Sequence, residues 1–180
     1  MTIIRTGLAI PLLLAMNGSV WAQAASERIT GLKLSNDAPI QIESDRLDVR
    51  EQEGTAEFNG NVSVVQGATL LKSGKLIVYY AKDGGSAATG SAKIDKIEVS
   101  GKVYVKSETQ VATGDAGSFD MNSQVLVMTG KNVVLSEGKN VATGCKLTVQ
   151  MKSGKAKLES CKGSGGRVSI VIDPKSAPKN

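Results

Sequence analysis

GDAGSFDMNSQVLVMTG, residues 114–130, is followed at an interval of 30 positions by GCKLTVQMKSGKAKLES, residues 144–160, and the two align without a gap. SDRLDVREQEGTAEFNG, residues 44–60, joins the same alignment. Leu47, Gly117 and Leu147 share one column and Val49, Phe119 and Val149 the next. Ala56, Leu126 and Ala156 follow, then Phe58, Met128 and Leu158. The apolar columns fall on alternate positions, the period of a half-buried β-strand, and polar turn residues separate the two strands of each copy.

A further copy opens at Gly74 and closes at Gly101, with Ile77 and Tyr79 in its first apolar columns, Ile97 and Val99 in its last, and a longer hairpin tip. After the closing glycines come more alternating strands: Val62 and Val64, Val103 and Val105, Val133 and Leu135. The chain beyond residue 38 therefore reads as all-β. A repeat of about 30 residues, each made of short strands, cannot bury its apolar columns alone and must stack on its neighbours. The expected architecture is an elongated two-sheet trough of about four such repeats, open at both ends. The inward columns would form either a packed core or an apolar groove, and the residues alone leave both readings open. The first strand (39–42) and the last (167–172) have no partner beyond them, so Ile40, Ile42, Val168, Ile170 and Ile172 are expected to lie on edges available for strand addition.

The first 24 residues stand apart. Arg5, an apolar run from Leu8 to Met16, and Ala22-Gln23-Ala24 have the layout of a secretory signal peptide, and the run is too short for a spanning helix. The expected organisation is a signal peptide at 1–24, a lead segment at 25–37, one β domain at 38–172 and a disordered tail at 173–180. Export to an oxidising compartment makes Cys145 and Cys161, the two cysteines of the chain, candidates for pairing.

Composition narrows the chemistry. There is no histidine, which removes the commonest general base and the commonest metal ligand. Without histidine, two cysteines are too few for a zinc site. Asp45 and Asp48 lie three apart, and their counterparts in the last copy are Cys145 and Thr148, which marks them as turn and surface residues rather than a catalytic pair. GSGG at 163–166 lacks the lysine and helix of a phosphate loop. No catalytic site, metal site or cofactor is expected. Aromatic residues make up 3% of the chain, too few to stack nucleic-acid bases. Lysine and arginine exceed aspartate and glutamate by 22 to 17, a mild excess that suits an anionic partner.

The ordered series PIQIESDRLDV, AEFNGNVSVV, GKLIVYY, VATGDAGSFD and VLVMTGKNVVL resembles the LptA/OstA-like family of periplasmic lipopolysaccharide-transport proteins over about residues 38–160. The resemblance implies a twisted β-jellyroll whose apolar groove shields the acyl chains of lipid A. It also implies a periplasmic location and head-to-tail homo-oligomers joined by edge strands. The resulting bridge would run from an inner-membrane transporter complex to an outer-membrane assembly protein with related jellyroll domains. The inward positions named above would then line the groove.

The cysteines follow from register, not from the resemblance. Pairing that sets Leu147 opposite Ser160 and Val149 opposite Leu158 places Cys145 opposite Lys162, and a one-residue bulge near 160–162 brings Cys161 into reach. A Cys145–Cys161 disulfide across the last hairpin is expected, two free thiols being the alternative.

Overall fold

The computed structural model describes residues 39–81, 85, 93–161, 163 and 166–176. The expected signal peptide and lead segment, most of the long hairpin tip and residues 177–180 lie outside the described residues. Ten strands form one antiparallel sheet: β1 (Gln41–Glu43), β2 (Arg46–Arg50), β3 (Thr55–Gln66), β4 (Thr69–Tyr80), β5 (Ile94–Ser107), β6 (Gln110–Asp120), β7 (Val125–Glu137), β8 (Asn140–Gln150), β9 (Lys155–Glu159) and β10 (Ser169–Val171). The order is β1-β3-β4-β5-β6-β7-β8-β10, with β2 also on β3 and β9 also on β8, and the sheet does not close.

The six long strands, β3 to β8, are each interrupted at mid-length by a register shift. The shifts divide the sheet into two arms. Arm A holds β2, β9 and the stretches 55–59, 75–80, 94–100, 116–120, 125–129 and 146–150. Arm B holds β1, β10 and the stretches 62–66, 69–73, 103–107, 110–114, 133–137 and 140–144. One apolar cluster takes Leu76, Val78, Met128, Leu147 and Val149 from arm A and Val62, Val103, Ala112 and Val133 from arm B, so the arms face each other across a shared interior. Burial of an aliphatic side chain of this size contributes about 1.5–3 kcal/mol, and the two rows next to the bend therefore hold the arms together.

The bend is made by bulges. An extra residue on one strand breaks the ladder and turns the chain. Gly101 takes a left-handed φ of +83° there, and its backbone lies against Gly74, where an added Cβ would come within 3.5 Å of its Cα. The bend of β7 holds one residue more than that of β5: 130–132 lie unpaired against β8, where 101–102 do so against β6.

The bend residues are tied across to the next strand at a constant spacing of 16 residues. Asp45 Oδ2 accepts the Asn61 side-chain amide at 2.9 Å. Asp115 Oδ2 accepts the Lys131 backbone N–H at 2.8 Å. At the last bend the same spacing carries the Cys145–Cys161 disulfide, with a Cα separation of 5.0 Å. Asp45 is thus a bend tie, and Asp48 lies on the outer face paired with Arg46 at 2.9 Å.

Two register expectations are corrected. In the last hairpin Leu147 pairs with Leu158 and Val149 with Ala156, two residues from the expected pairing. The disulfide forms all the same because Cys161 is again one residue out of register with Cys145, now one beyond the position opposite it instead of one short. In β4 the inward residues are Leu76 and Val78, 2% and 1% exposed, whereas Ile77 and Tyr79 lie on the outer face. The bend residue of β4 is Gly74, equivalent to Asp115 and Cys145, and Ser73 stands where the other copies have Gly114 and Gly144. Alignment on the glycine shifted that copy by one, and one residue reverses every face of a strand.

The chain also continues in regular structure beyond the expected boundary at 172. Asp173 meets Lys139 at 3.3 Å and its N–H donates to Asn140 Oδ1 at 2.9 Å, and Pro174–Ser176 forms a 3₁₀ turn.

Gly144 shows how closely β9 is seated. A Cβ there would lie 2.7 Å from the Glu159 carbonyl oxygen and 2.8 Å from Leu158 Cγ. Gly144→Ala is expected to push β9 away from β8 at a cost of about 1–3 kcal/mol, measured as a lowered midpoint of denaturant unfolding.

Candidate functional site: an apolar interior open at both ends

The interior is built from the inward-facing residue of every strand. In arm A the row beside the bend runs Leu47, Phe58, Leu76, Val99, Gly117, Met128, Leu147 and Leu158, by register pairing across all the strands from β2 to β9. The next row runs Val49, Ala56, Val78, Ile97, Phe119, Leu126, Val149 and Ala156. Arm B faces them with Val62, Val103 and Val133 beside the bend, then Ile42, Val64, Leu71, Val105, Ala112, Leu135, Ala142 and Ile170. The structure thus brings together the expected inward residues other than Ile77 and Tyr79. Leu71, Leu76, Val78, Ala112 and Ala142 belong with them. Their signal was parity counted from the hairpin turns rather than from the glycines.

Burial varies along these rows. Val62, Val133, Met128 and Leu147 are at most 1% exposed, so the bend side is tightly packed. Phe58, Val64, Ile97, Leu126 and Leu158 are only half-buried. At the N-terminal end Leu47 is 51% exposed, and at the C-terminal end Ile170 is 63% exposed. Ile40, Val168 and Ile172 are likewise exposed, and Ile42 is half-buried. The apolar rows therefore reach solvent at both ends of the sheet.

The outer limit of arm B is different. The third inward position of its strands is polar: Gln66, Thr69, Ser107 and Gln110 are all buried, and the Thr69 and Ser107 hydroxyls are 3.0 Å apart. The sequence carried this as a polar residue replacing an aliphatic one beside each two-residue turn.

The outer face of arm A is charged. Lys75 pairs with Glu57 at 2.7 Å. Glu98 accepts hydrogen bonds from Lys96 and, at 2.8 Å, from the Tyr79 hydroxyl. These contacts set the titration. Lys96 first, then Tyr79, hold the Glu98 carboxyl below its ordinary value, and Lys75 and Asn59 do the same for Glu57. The bond to Glu98 raises Tyr79 and Lys96, burial raises Tyr80, and the Ser123 backbone N–H lowers Asp120. A carboxylate lowered in the folded state stabilises above its unfolded pKa, and that contribution is lost as pH falls through the folded value. Stability is therefore expected to be level from neutral pH down to about the ordinary glutamate value of 4.5 and to fall below it, as read by denaturant titration at stepped pH.

Among the described residues there is no group of three or more His, Cys, Asp or Glu side chains placed to hold a metal ion, and no helix long and apolar enough to cross a membrane. The fold and site define an open β-jellyroll whose aliphatic interior runs from one terminal edge to the other. The chain belongs to the family described as LptA/(LptD N-terminal domain) LPS transport protein, a model of which matches residues 41–155.

An uncharacterized protein of Rhizobium meliloti (strain 1021) is 54% identical over 159 residues, covering 88% of this chain and 84% of the relative. A Rhizobium etli protein described as lying in the 5′ region of an rpoN-linked probable transport protein is 63% identical over 49 residues, 27% of this chain and 85% of the relative. Among solved structures, LptH of Pseudomonas aeruginosa, the LptA-homologous periplasmic component of the lipopolysaccharide transport device, superposes with a TM-score of 0.62. It is 18% identical and covers 76% of this chain and 96% of its own. At that identity the likeness is one of fold.

Proposed function

We propose that this chain is a non-enzymatic periplasmic lipopolysaccharide carrier. Acyl chains of lipid A lie along the interior between the arms, and copies join end to end into a bridge. The bridge runs from an inner-membrane transporter component to an outer-membrane assembly protein with related jellyroll domains. The observation that carries this reading is the continuity of the apolar rows from Leu47 and Val49 on β2, both exposed, to the half-buried Ala156 and Leu158 on β9. Acyl chains need apolar contact rather than hydrogen-bond readout, and the half-buried Phe58, Ile97 and Leu126 offer it.

A second reading, a periplasmic β-filament or scaffold subunit without cargo, is favoured by the closed packing beside the bend, where Val133 is 0% and Met128 1% exposed. Equilibrium binding of purified chain to lipopolysaccharide separates the two. The carrier binds at a stoichiometry fixed per subunit, and a cargo-free filament assembles without binding.

A further inference from the structure

The two ends of the sheet match each other strand for strand. Each ends in two half-strands, one per arm: β2 and β1 at the N-terminal end, β9 and β10 at the C-terminal end. Depth from the bend is fixed by the internal ladders. Leu47 and Leu158 lie in the row beside the bend, and Val49 and Ala156 one row out. In arm B, Ile42 and Ile170 share a row by their pairing with Val64 and Ala142. β9 runs toward the bend and β2 away from it, so a copy that continues the stack adds β2 to β9 antiparallel. It adds β1 to β10 in the same sense, both arms at once.

That register decides which outward side chains meet. It sets Leu158 beside Leu47 and Ala156 beside Val49 on the inner face. On the outer face it sets Glu159 opposite Arg46 and Lys157 opposite Asp48. Each strand already carries its two charges as a neighbouring pair: Arg46 Nε to Asp48 Oδ2 at 2.9 Å, and Lys157 Nζ to Glu159 Oε1 at 2.9 Å. Antiparallel addition turns the two pairs into a square of alternating sign. The remaining outward pair, Lys155 with Arg50, is of like charge, and Arg50 has Glu53 at 3.5 Å to offset it. The same addition covers Ile40, Ile170 and Ile172, exposed by 42%, 63% and 63%.

We infer that Arg46 and Asp48 on β2, facing Glu159 and Lys157 on β9, fix the register in which a second copy of this chain adds to the first. This rests on the end-to-end stacking proposed above. A slip of two residues along the strands would keep the inner face inward but break the square, setting Arg46 against Lys157 or Asp48 against Glu159. Opposite charges facing across an antiparallel pair stabilise it and like charges destabilise it, so the pattern discriminates between registers that apolar contact alone would permit.

The test inverts one edge at a time while keeping the pair within each strand. Lys157→Glu with Glu159→Lys inverts the C-terminal edge, and Arg46→Asp with Asp48→Arg inverts the N-terminal edge. All four side chains are on the surface, and thermal melting checks that each variant stays folded. In sedimentation velocity at low ionic strength, each inverted variant alone is expected to need about a tenfold higher concentration than the wild type to assemble. An equimolar mixture of the two is expected to assemble again, since each inverted edge finds an inverted partner. Inverted variants that assemble like the wild type, or a mixture that stays as weak as its components, overturn the register. A wild-type chain that stays monomeric at high concentration overturns the stacking reading itself. A wild-type chain that fails to self-assemble but binds a related jellyroll domain assigns the edges to that partner and overturns the second copy as occupant.

Discussion

Leu126→Asp is expected to lower the affinity for lipopolysaccharide by at least tenfold and to leave the chain folded. Leu126 lies inside the stack, two strands from the β9 edge, pairing with Phe119 on one side and Val149 on the other, so it belongs to neither docking edge. It is half-buried, so a carboxylate there keeps contact with water in the empty protein and destabilises it only modestly. With acyl chains alongside, that water is displaced. An unpaired charge in apolar surroundings then opposes binding by several kcal/mol, more than the roughly 1.4 kcal/mol that corresponds to tenfold. Val49→Asp gives a second measure, because Val49 is 37% exposed and tolerates a charge more readily still. Isothermal calorimetry of each variant, beside a thermal melt, reads affinity and folding separately. A folded Leu126→Asp chain with wild-type affinity contradicts binding between the arms. Leu147→Ala is not equivalent, because Leu147 is 1% exposed and its loss acts on folding.

Removing the disulfide has the next largest expected effect. The Cys145–Cys161 bond closes a loop of 16 residues, and a loop of that length stabilises by about 3 kcal/mol through the unfolded chain. For a domain of this size that corresponds to about 6–12 °C in Tm. The location adds a second consequence. Asp115 makes the same tie with a hydrogen bond where the sheet continues on both sides, and Asp45 makes it beside β2, the N-terminal end of the sheet in arm A, whereas the disulfide lies beside β9, the C-terminal end of that arm. A covalent link there holds β9 against β8 at the edge to which the next copy is proposed to add. Cys145→Ser with Cys161→Ser is therefore expected to lower Tm by that amount and to weaken assembly, and reductant is expected to do the same to the wild type. An unchanged melting curve under reductant contradicts this role.

Much of the fold was legible because β-structure writes its faces into alternation. Val62/Val64, Val103/Val105 and Leu147/Val149 announced their inward sides without reference to any neighbour. The disulfide was legible from the oxidising compartment that export implies and from a hairpin register that leaves Cys161 one residue from the position opposite Cys145. What alternation cannot supply is the phase after a bend. In β4 the bend residue is Gly74 with Ser73 before it, whereas β6 and β8 place glycine one position earlier, and the resemblance among glycines misled the count for Ile77 and Tyr79. Register between hairpin strands was illegible for a related reason. The four-residue turn before β9 and the unpaired residue beyond it set the pairing, and neither leaves a trace in the apolar pattern. The ties at 45–61 and 115–131 were written in the sequence as one column of Asp, Asp and Cys, but their partners are a side chain in one case and a backbone N–H in the other.

Site-specific photo-crosslinking in living cells tests most directly whether lipid travels between the arms. Crosslinkers at Leu126 and Phe58 face the interior, and crosslinkers at Val127 and Glu57 sit one residue away on the outer face of the same strands. Lipopolysaccharide adducts at Leu126 and Phe58, with none at Val127 and Glu57, are the predicted result. Equal labelling of both faces, or adducts at the outer positions alone, would contradict it.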